Sequence, residues 1–435
     1  MWIIELLVVL LFIWLGARMG SIGIGFAGGF GVLVLSLGFG LKPGSIPVDV
    51  ILIIMSVIAA IAAMQVAGGL DYLVVLAEKI LRSNPKYITF YAPMVTYTMT
   101  LLAGTGHTAF STLPVIAQVA KETGIRPSRP LSIATVASQV AITASPISAA
   151  VVFFSSELEK LGVGYLQLLI IAIPSTFTAC MLAAIVTNFL GKDLKDDPVY
   201  QERLAKGLVK ESSGRQEKTE ILPGARTSVL IFLIGIVVVV CYATAISSSV
   251  GLIEDPVLDR NSAIMTIMLA VATVITMVCR IESARVLDAA TFKSGMSACV
   301  CVLGVAWLGT TFVAAHLEEI NVFAGNILES KPWLLAVVLF FASMLLYSQA
   351  ATTKALMPVA LGLGVSPVAA IASFAAVSAL FILPTYPTLL AAVEFDDTGS
   401  TRIGKYVIDH PFIIPGVLTI TLSVSIAFLI GSIVI

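Results

Sequence analysis

The sequence predicts an all-α polytopic membrane protein built from two repeats of inverted topology. Hydrophobic residues make up 58% of the 435 residues and charged residues only 12%, about half the charge of a soluble domain. Apolar runs of about twenty residues, the length that spans a bilayer as a helix, recur along the whole chain. The order of apolar runs, interruptions and loop charges in the first half also recurs in the second half, with the opposite orientation.

Ten apolar segments are predicted to be spanning helices, five in each half. They are residues 2–16, 20–39, 48–69, 130–154, 165–190, 228–248, 262–279, 295–315, 367–393 and 412–435. Their apolar runs are continuous, whereas a membrane β-barrel would alternate polar and apolar residues. The net charge of −1 gives no reason to expect nucleic acid as a partner.

Two further apolar regions, residues 87–120 and 332–364, are each interrupted by small polar residues. Lys and Arg concentrate in cytoplasmic loops, so the basic segment 191–226 is predicted to be cytoplasmic. Counting crossings from it puts both ends of the first region inside and both ends of the second outside. Each region is therefore predicted to be a re-entrant helical hairpin, the first with its tip at residues 103–107. Both chain termini are predicted to be periplasmic.

The chain then divides into a first repeat (1–190, hairpin 87–120), a cytoplasmic linker (191–226) and a second repeat (227–435, hairpin 332–364). Each repeat has five spanning helices and one hairpin. Inverted repeats with broken helices are typical of secondary transporters, which bind substrate near the bilayer midplane. The mixed charges of the linker predict a solvated surface and no further role.

One lysine, Lys354, lies inside the apolar second hairpin, among the hydroxyl residues Ser348, Thr352 and Thr353. A charge at the bilayer centre costs roughly 2.5–3.5 kcal/mol on insertion scales. Such a residue predicts a binding site for an anion. The alternative is a lysine whose long side chain carries the ammonium to the membrane interface.

Four helix breaks are predicted to converge: the two hairpin tips and an interruption in the span after each hairpin. Proline removes a helical hydrogen bond, and the half-helices direct partial positive charge from their N-termini at the break, which suits carboxylates. The candidate substrate-binding residues are Thr105, Gly106, His107, Ser111, Ser145, Pro146, Ser148, Gln349, Thr352, Thr353, Lys354, Pro384, Thr385 and Thr388. Alternatively the hydroxyls only satisfy backbone groups of the broken helices, and His107 is a neutral packed histidine rather than a proton carrier or ligand.

Other motifs predict no catalysis, metal or cofactor. Residues 23–28 match GxGxxG but lie within a predicted spanning helix, where Gly25 and Gly29 predict close helix packing instead of nucleotide binding. The three histidines are scattered, and no Walker loop is present. Cys299 and Cys301 point to different sides of a helix and are interpreted as small hydrophobic residues.

Several long stretches resemble the anaerobic C4-dicarboxylate carriers of the Dcu A/B family. They include GARMGSIGIGFAGGFGVLVL, NPKYITFYAP, ITASPISAAVV, LLYSQAATTKALMP and FILPTYPTLL, and the resemblance runs from the first span to the last. It implies a bacterial inner-membrane carrier that exchanges fumarate, succinate, malate and aspartate. It also implies an ion-transporter-superfamily-like fold, a homodimer and elevator-like motion, and it supports Lys354 as a substrate contact.

Three other functions are alternatives to dicarboxylate exchange. A proton- or sodium-coupled dicarboxylate symporter with a co-sensor role is the alternative within the family. A channel would need a continuous polar pore, whereas the polar residues here cluster at one depth. An intramembrane enzyme would need a nucleophile with a base, or metal ligands, at one depth, and the sequence offers neither.

Overall fold

The computed structural model describes residues 2–19, 22–46, 48–209, 221–246, 252–316, 319, 331–346, 348–383, 386–404, 406 and 408–435. These residues form helices and connecting segments, with no β-strand among them. Helices before residue 210 are α1 (Trp2–Met19), α2 (Gly23–Leu33), α3 (Val48–Val66), α4 (Gly69–Ser83), α5 (Ile88–Ala103), α6 (Ala109–Glu122), α7 (Ser128–Val140), α8 (Ala149–Glu159), α9 (Tyr165–Thr187) and α10 (Pro198–Ala205). Later helices are α11 (Ala225–Ala245), α12 (Arg260–Val278), α13 (Ala284–Asp288), α14 (Ala290–Ala315), α15 (Leu334–Leu346), α16 (Gln349–Gly362), α17 (Pro367–Ser373), α18 (Pro387–Phe395) and α19 (Ile413–Val434).

Among the described residues, α9, α11, α12 and α19 are each long and apolar enough to cross a membrane. Shorter apolar helices accompany them at Trp2–Gly16, Gly25–Gly38, Leu334–Met344 and Pro367–Phe381. A helix satisfies its backbone hydrogen bonds internally, which the hydrocarbon region of a bilayer requires. The chain is a multi-pass helical membrane protein.

The third predicted span continues as a helix that the sequence analysis does not predict. After α3 ends at Val66, the chain bends by 73° and runs on as α4. Gly68 forms the bend with a φ of +83°, a conformation that favours glycine. On α4, Leu70, Ala77 and Leu81 are buried. Their helical spacing, with charged residues on the opposite face, marks an amphipathic helix.

Both predicted hairpin regions consist of two short helices. In the first, α5 and α6 are joined by residues 104–108, and Gly104 ends α5 with a φ of +69°, so the predicted break at this tip is confirmed. In the second, α15 and α16 flank Tyr347, which lies outside the described residues, and Ser348 caps α16 by accepting a 3.2 Å hydrogen bond from the Ala351 N–H. The depth of these tips in a membrane stays a prediction.

The spans that follow the hairpins are broken where the sequence predicts. In the first, α7 passes through a 3-10 turn at Ala141–Thr143 before α8 begins at Ala149. In the second, α17 continues as a 3-10 segment, Phe374–Phe381, and α18 begins at Pro387. Each break interrupts the backbone ladder and frees polar groups that the fold must satisfy in another way.

The helices pack as two bundles, and each bundle takes helices from both halves of the chain. The outer bundle consists of α1, α2, α3, α11, α12 and α14, in which α2 packs on α14 and α3 on α12. The inner bundle consists of α5–α9 and α15–α19, in which α9 packs on α19. Within the inner bundle, α8 of the first half packs on α16 of the second, and α18 of the second packs on α6 of the first.

The close helix packing predicted for Gly25 and Gly29 is confirmed at Gly25 but not at Gly29. A Cβ on Gly25 would overlap the carbonyl of Val300 in α14, and a Cβ on Gly304 would overlap the carbonyl of Gly25. Gly29 has open space around it. Small residues let two backbones approach, and here they join the first half of the chain to the second.

Most charged residues in the first part of the linker are exposed, as predicted, but the prediction of no further role is wrong, because other charged residues hold this part against the rest of the protein. The Arg126 guanidinium forms an ion pair with Asp197, and Arg203 in α10 donates a 2.9 Å hydrogen bond to the carbonyl of Asp397. Burial raises the pKa of Asp197, but Arg126 and the N–H groups of Val199 and Tyr200 outweigh it and hold that pKa below its ordinary value. These partners lie far away along the chain, so a charge pattern alone does not reveal them. Residues 210–220 lie outside the described part of the linker.

Candidate functional site

The amide of Gln139 links elements of both halves. Gln139 lies in the last turn of α7 and is completely buried. Its Nε2 donates a 3.1 Å hydrogen bond to Oγ1 of Thr388, at the start of α18. Its Oε1 accepts a 3.1 Å hydrogen bond from Nε2 of Gln349, the first residue of α16. One side chain therefore bonds both the second hairpin and the second broken span.

The second broken span bonds Gln139 at another point, the first hairpin tip approaches it, and Gln139 itself adjoins the first broken span. Ser378, in the 3-10 segment after α17, donates a 3.2 Å hydrogen bond to the Gln139 carbonyl. A Cβ on Gly106, at the first hairpin tip, would lie 2.6 Å from Gln139 Nε2. Only glycine fits there without displacing the amide. We call Gly106, Gln139, Gln349, Ser378 and Thr388 the central polar cluster.

Three helices begin at these breaks. Ser148 caps α8 by accepting a 3.2 Å hydrogen bond from the Val151 N–H, just as Ser348 caps α16. Helix α18 begins after Tyr386. Free N–H groups and the partial positive charge at helix N-termini favour anions. The region therefore combines an uncharged polar cluster with three helix starts.

Several predicted hydroxyl residues satisfy backbone groups in this conformation. Ser145 donates to the Leu101 carbonyl at 2.7 Å, which ties the first broken span to the first hairpin. Thr352 donates to the Ser348 carbonyl at 2.8 Å and Thr353 to the Gln349 carbonyl at 2.6 Å. In this conformation these hydroxyls donate their hydrogens to backbone carbonyls, as the alternative interpretation holds. Each hydroxyl oxygen still has a lone pair that can accept a hydrogen bond from another donor.

The remaining predicted residues are distributed as follows. Ser148 also donates to the Ile142 carbonyl at 2.7 Å, and the carbonyl of Pro146 accepts a hydrogen bond from the Tyr165 hydroxyl. Thr105 and Ser111 are half-buried near the first tip. Pro384, Thr385 and the side chain of His107 lie outside the described part of the structure.

Lys354 faces away from the central polar cluster. Five residues after Gln349 on a helix, its side chain points about 140° away from that residue. Its ammonium lies 5.1 Å from the centroid of the Phe153 ring on α8, a cation–π contact. The carboxylates of Asp49 and Glu157 act on it electrostatically. The half-buried ammonium therefore faces α8 and the start of α3.

A second cation, which the sequence analysis does not single out, also contacts α8: Arg260, the first residue of α12. Arg260, only 6% exposed, pairs with Glu159 and donates a 3.0 Å hydrogen bond to Ser155. Its guanidinium also lies 5.3 Å from the centroid of the Tyr165 ring. In the sequence Arg260 stands at the edge of an apolar run and resembles an ordinary loop residue. Gln139 was also missed, although a lone amide inside an apolar span was a usable signal.

The described residues contain no group of three or more His, Cys, Asp or Glu side chains that could hold a metal ion.

The model of the anaerobic C4-dicarboxylate membrane transporter family matches residues 1–435. The chain belongs to this family. It is a membrane transporter and not an enzyme.

Relatives of this C4-dicarboxylate transporter family member match it from end to end. It is 68% identical over 433 residues to the C4-dicarboxylate transporter DcuA of Wolinella succinogenes, with 100% of both chains covered. It is 59% identical to DcuA of Escherichia coli K12, with 99% of both covered. It is 38% identical to the anaerobic C4-dicarboxylate transporter DcuB of Escherichia coli O6:H1, with 97% of this chain and 96% of the relative covered.

A solved structure is similar in fold to this family member. The crystal structure of the Alcanivorax borkumensis YdaH transporter matches with a TM-score of 0.56 at 16% identity, over 98% of this chain and 96% of that one. At that identity the match concerns the fold alone. It agrees with the helical fold of the described residues.

Proposed function

We propose that this protein carries C4-dicarboxylates across the bacterial inner membrane, mainly by exchanging one dicarboxylate for another. Fumarate, succinate, malate and aspartate are the proposed substrates. The family membership supports the substrate class. The observation that carries the proposal is the convergence of four helix breaks on Gln139, with three helix N-termini among them. Such a place suits an anion with two separated carboxylates.

In this proposal a substrate carboxylate takes the place of the amide contacts in the central polar cluster. Each of those contacts is a neutral hydrogen bond, worth about 1 kcal/mol net. Hydrogen bonds to a carboxylate are roughly twice as strong, so exchange of partners favours the bound state. The second carboxylate is proposed to bind Lys354 after the lysine side chain leaves the Phe153 ring and turns toward the cluster, because in this conformation its ammonium faces α8 and the carboxylates of Asp49 and Glu157.

We also propose inverted repeats that move as an elevator within a homodimer. Reciprocal packing supports the repeats: α2 on α14 corresponds to α12 on α3, and α8 on α16 corresponds to α18 on α6. The inner bundle would be the moving part and the outer bundle the fixed part and the dimer contact. In this arrangement both hairpins and both broken spans move together with the substrate.

Counterflow in proteoliposomes tests the exchange function. Vesicles loaded with unlabelled fumarate should take up labelled succinate several-fold faster than vesicles loaded with butyrate, a monocarboxylate control. Loading with malate or aspartate ranks the substrates, and imposed proton or sodium gradients test for coupling. Uptake that depends on an ion gradient and ignores internal dicarboxylate would instead support the symporter.

Thiol labelling tests the inverted topology. In a background without the five native cysteines, a cysteine at Lys86, at the base of the first hairpin, should react with an impermeant reagent from the cytoplasmic side only. A cysteine at Lys331, at the base of the second, should react from outside only. Both positions are exposed, so reactivity reports sidedness rather than burial.

Two further exposed positions calibrate the labelling. Lys206 in the linker helix α10 should label from the cytoplasm, and Lys160 between α8 and α9 from outside. Labelling of Lys86 and Lys206 from opposite sides would mean that residues 87–120 cross the membrane once. That outcome would refute the re-entrant hairpin and the orientation of everything before the linker.

A further inference from the structure

A cavity of about 450 Å³ lies at the end of the inner bundle that carries the linker. It is lined by the start of α7, the end of α9, the loop before α19 and the first residues of α19. Ser128, which lines it, is eleven residues along α7 from Gln139, or about 16 Å. The cavity is therefore separate from the central polar cluster.

Among the described residues, three arginines and one carboxylate, that of Asp409, line this cavity. Arg126 and Arg129 are held in place by ion pairs with Asp197 and Asp193. Arg402 is exposed, and the described structure records one of its five N–H donors in use, a 2.9 Å bond to the Gly399 carbonyl. A guanidinium with several unused donors favours a phosphate or carboxylate ligand.

His410 adds a buried acceptor to the same lining. It is only 8% exposed, and its Nε2 lies 3.2 Å from the Ile382 carbonyl. A carbonyl oxygen only accepts, so Nε2 carries the proton. Burial lowers the pKa of His410, so its ring is neutral at pH 7 and Nδ1 offers a lone pair. Among the described residues Nδ1 has no hydrogen-bond partner, so a donor from a water molecule or a ligand is needed to satisfy it.

The rim of the cavity is apolar and exposed. Ile408 and Ile414 line it and are 68% and 53% exposed. Phe189, next to the lining residue Leu190, is 77% exposed. The cavity lies where the membrane-length helix α9 ends and α19 begins. Apolar side chains at that level suit acyl chains, and basic pockets between membrane helices bind anionic lipid headgroups.

We propose that this cavity binds the headgroup of an anionic phospholipid whose phosphodiester carries a hydroxylated alcohol, as in phosphatidylglycerol. The phosphodiester oxygens accept hydrogen bonds from Arg402 and Arg129. A headgroup hydroxyl donates to Nδ1 of His410, and the acyl chains lie over Ile408 and Ile414. Because His410 also bonds the Ile382 carbonyl, the lipid would fix the loop that joins the second broken span to α19.

Native mass spectrometry of the full-length protein, delipidated in detergent, tests the proposal with three lipids that share the same acyl chains. Phosphatidylglycerol should bind about fivefold more tightly than phosphatidylmethanol, which has the same charge but no headgroup hydroxyl. Phosphatidylcholine should bind more weakly than both. Arg402→Gln should weaken phosphatidylglycerol about tenfold, while Arg285→Gln, an exposed arginine on α13 away from the cavity, should leave it unchanged.

Competition separates a lipid from a soluble anion. Inorganic phosphate and succinate at millimolar concentration should not displace phosphatidylglycerol. Displacement by succinate that Arg402→Gln abolishes would make the cavity a substrate subsite and refute the proposal. Equal binding of phosphatidylglycerol by the wild type and Arg402→Gln would refute it too, as would equal affinity for phosphatidylglycerol and phosphatidylmethanol. Arg402→Lys, which retains the charge, should recover part of the affinity and shows that the loss is not a folding defect.

Discussion

Replacing Gln139 with leucine should reduce dicarboxylate exchange at least about thirtyfold. The substitution leaves the Gln349 amide and the Thr388 hydroxyl buried without their partner, and each unsatisfied group costs about 1–3 kcal/mol. It also removes a side chain that bonds both the second hairpin and the second broken span. Initial counterflow rates of labelled succinate, normalised to reconstituted protein, measure the effect.

Two further variants separate transport from stability. Gln139→Asn keeps the amide but is one methylene shorter, so we expect it to fold with near-normal melting behaviour and still lose most transport. Gln118→Leu is the matched control, because this glutamine bonds the exposed Glu122 on α6 and should be neutral. Wild-type exchange in Gln139→Leu would exclude the central polar cluster as the substrate site.

Replacing Lys354 with alanine should almost abolish transport while the protein still inserts into the membrane. Truncating one partner of a buried charge pair typically costs 2–5 kcal/mol, roughly thirtyfold or more in affinity. The substitution has a second effect, because it removes the ammonium that lies over Phe153 and so takes a nearby cation away from the carboxylates of Asp49 and Glu157. Transport measured over a range of succinate concentrations distinguishes weaker binding from slower turnover.

Lys160→Ala is the matched control for Lys354. Lys160 pairs with the same Glu157 at 2.7 Å, but its side chain is 67% exposed, and an exposed ion pair contributes little. Lys354→Arg keeps the charge and should retain measurable transport. Undiminished transport by Lys354→Ala would instead mean that the lysine only extends to the membrane interface.

The breaks in the helices were predictable because their causes are local. Gly104 supplies a positive φ at the first tip, and Pro146 interrupts the span after it. By contrast, the role of Gln139 depends on Gln349 and Thr388, more than two hundred residues away. The residues near Gln139 in the chain give no indication of these contacts, so the sequence points to the hydroxyl residues instead.

The contrast between local signals and contacts of distant residues also explains where the structure differs from the other predictions. Helix α4 had a local signal, the spacing of Leu70, Ala77 and Leu81, which was hidden by its position after a long apolar run. The docking of the linker depends on Arg126 and Asp397, which only the folded chain brings to α10. The sequence shows that Lys354 is unusual, because it lies in an apolar segment. The direction of its side chain depends on its contact with Phe153 of α8, which is distant in the sequence.

The interleaving of the two bundles has a consequence for how the protein is made. Helices α2, α3 and α9 each pack on a helix from the second half, and α19, the partner of α9, is the last of the described helices to be made. Ribosomes add about 5–20 residues per second, so the ~245 residues after the first half take roughly 10–50 seconds to synthesise. Until α14 has been made, Gly25 of α2 has only lipid, or an insertion factor, in the place of the α14 backbone. The contact of α9 with α19 forms only after α19 has been made, and a ribosome that stalls in the second half leaves an inserted but unassembled intermediate.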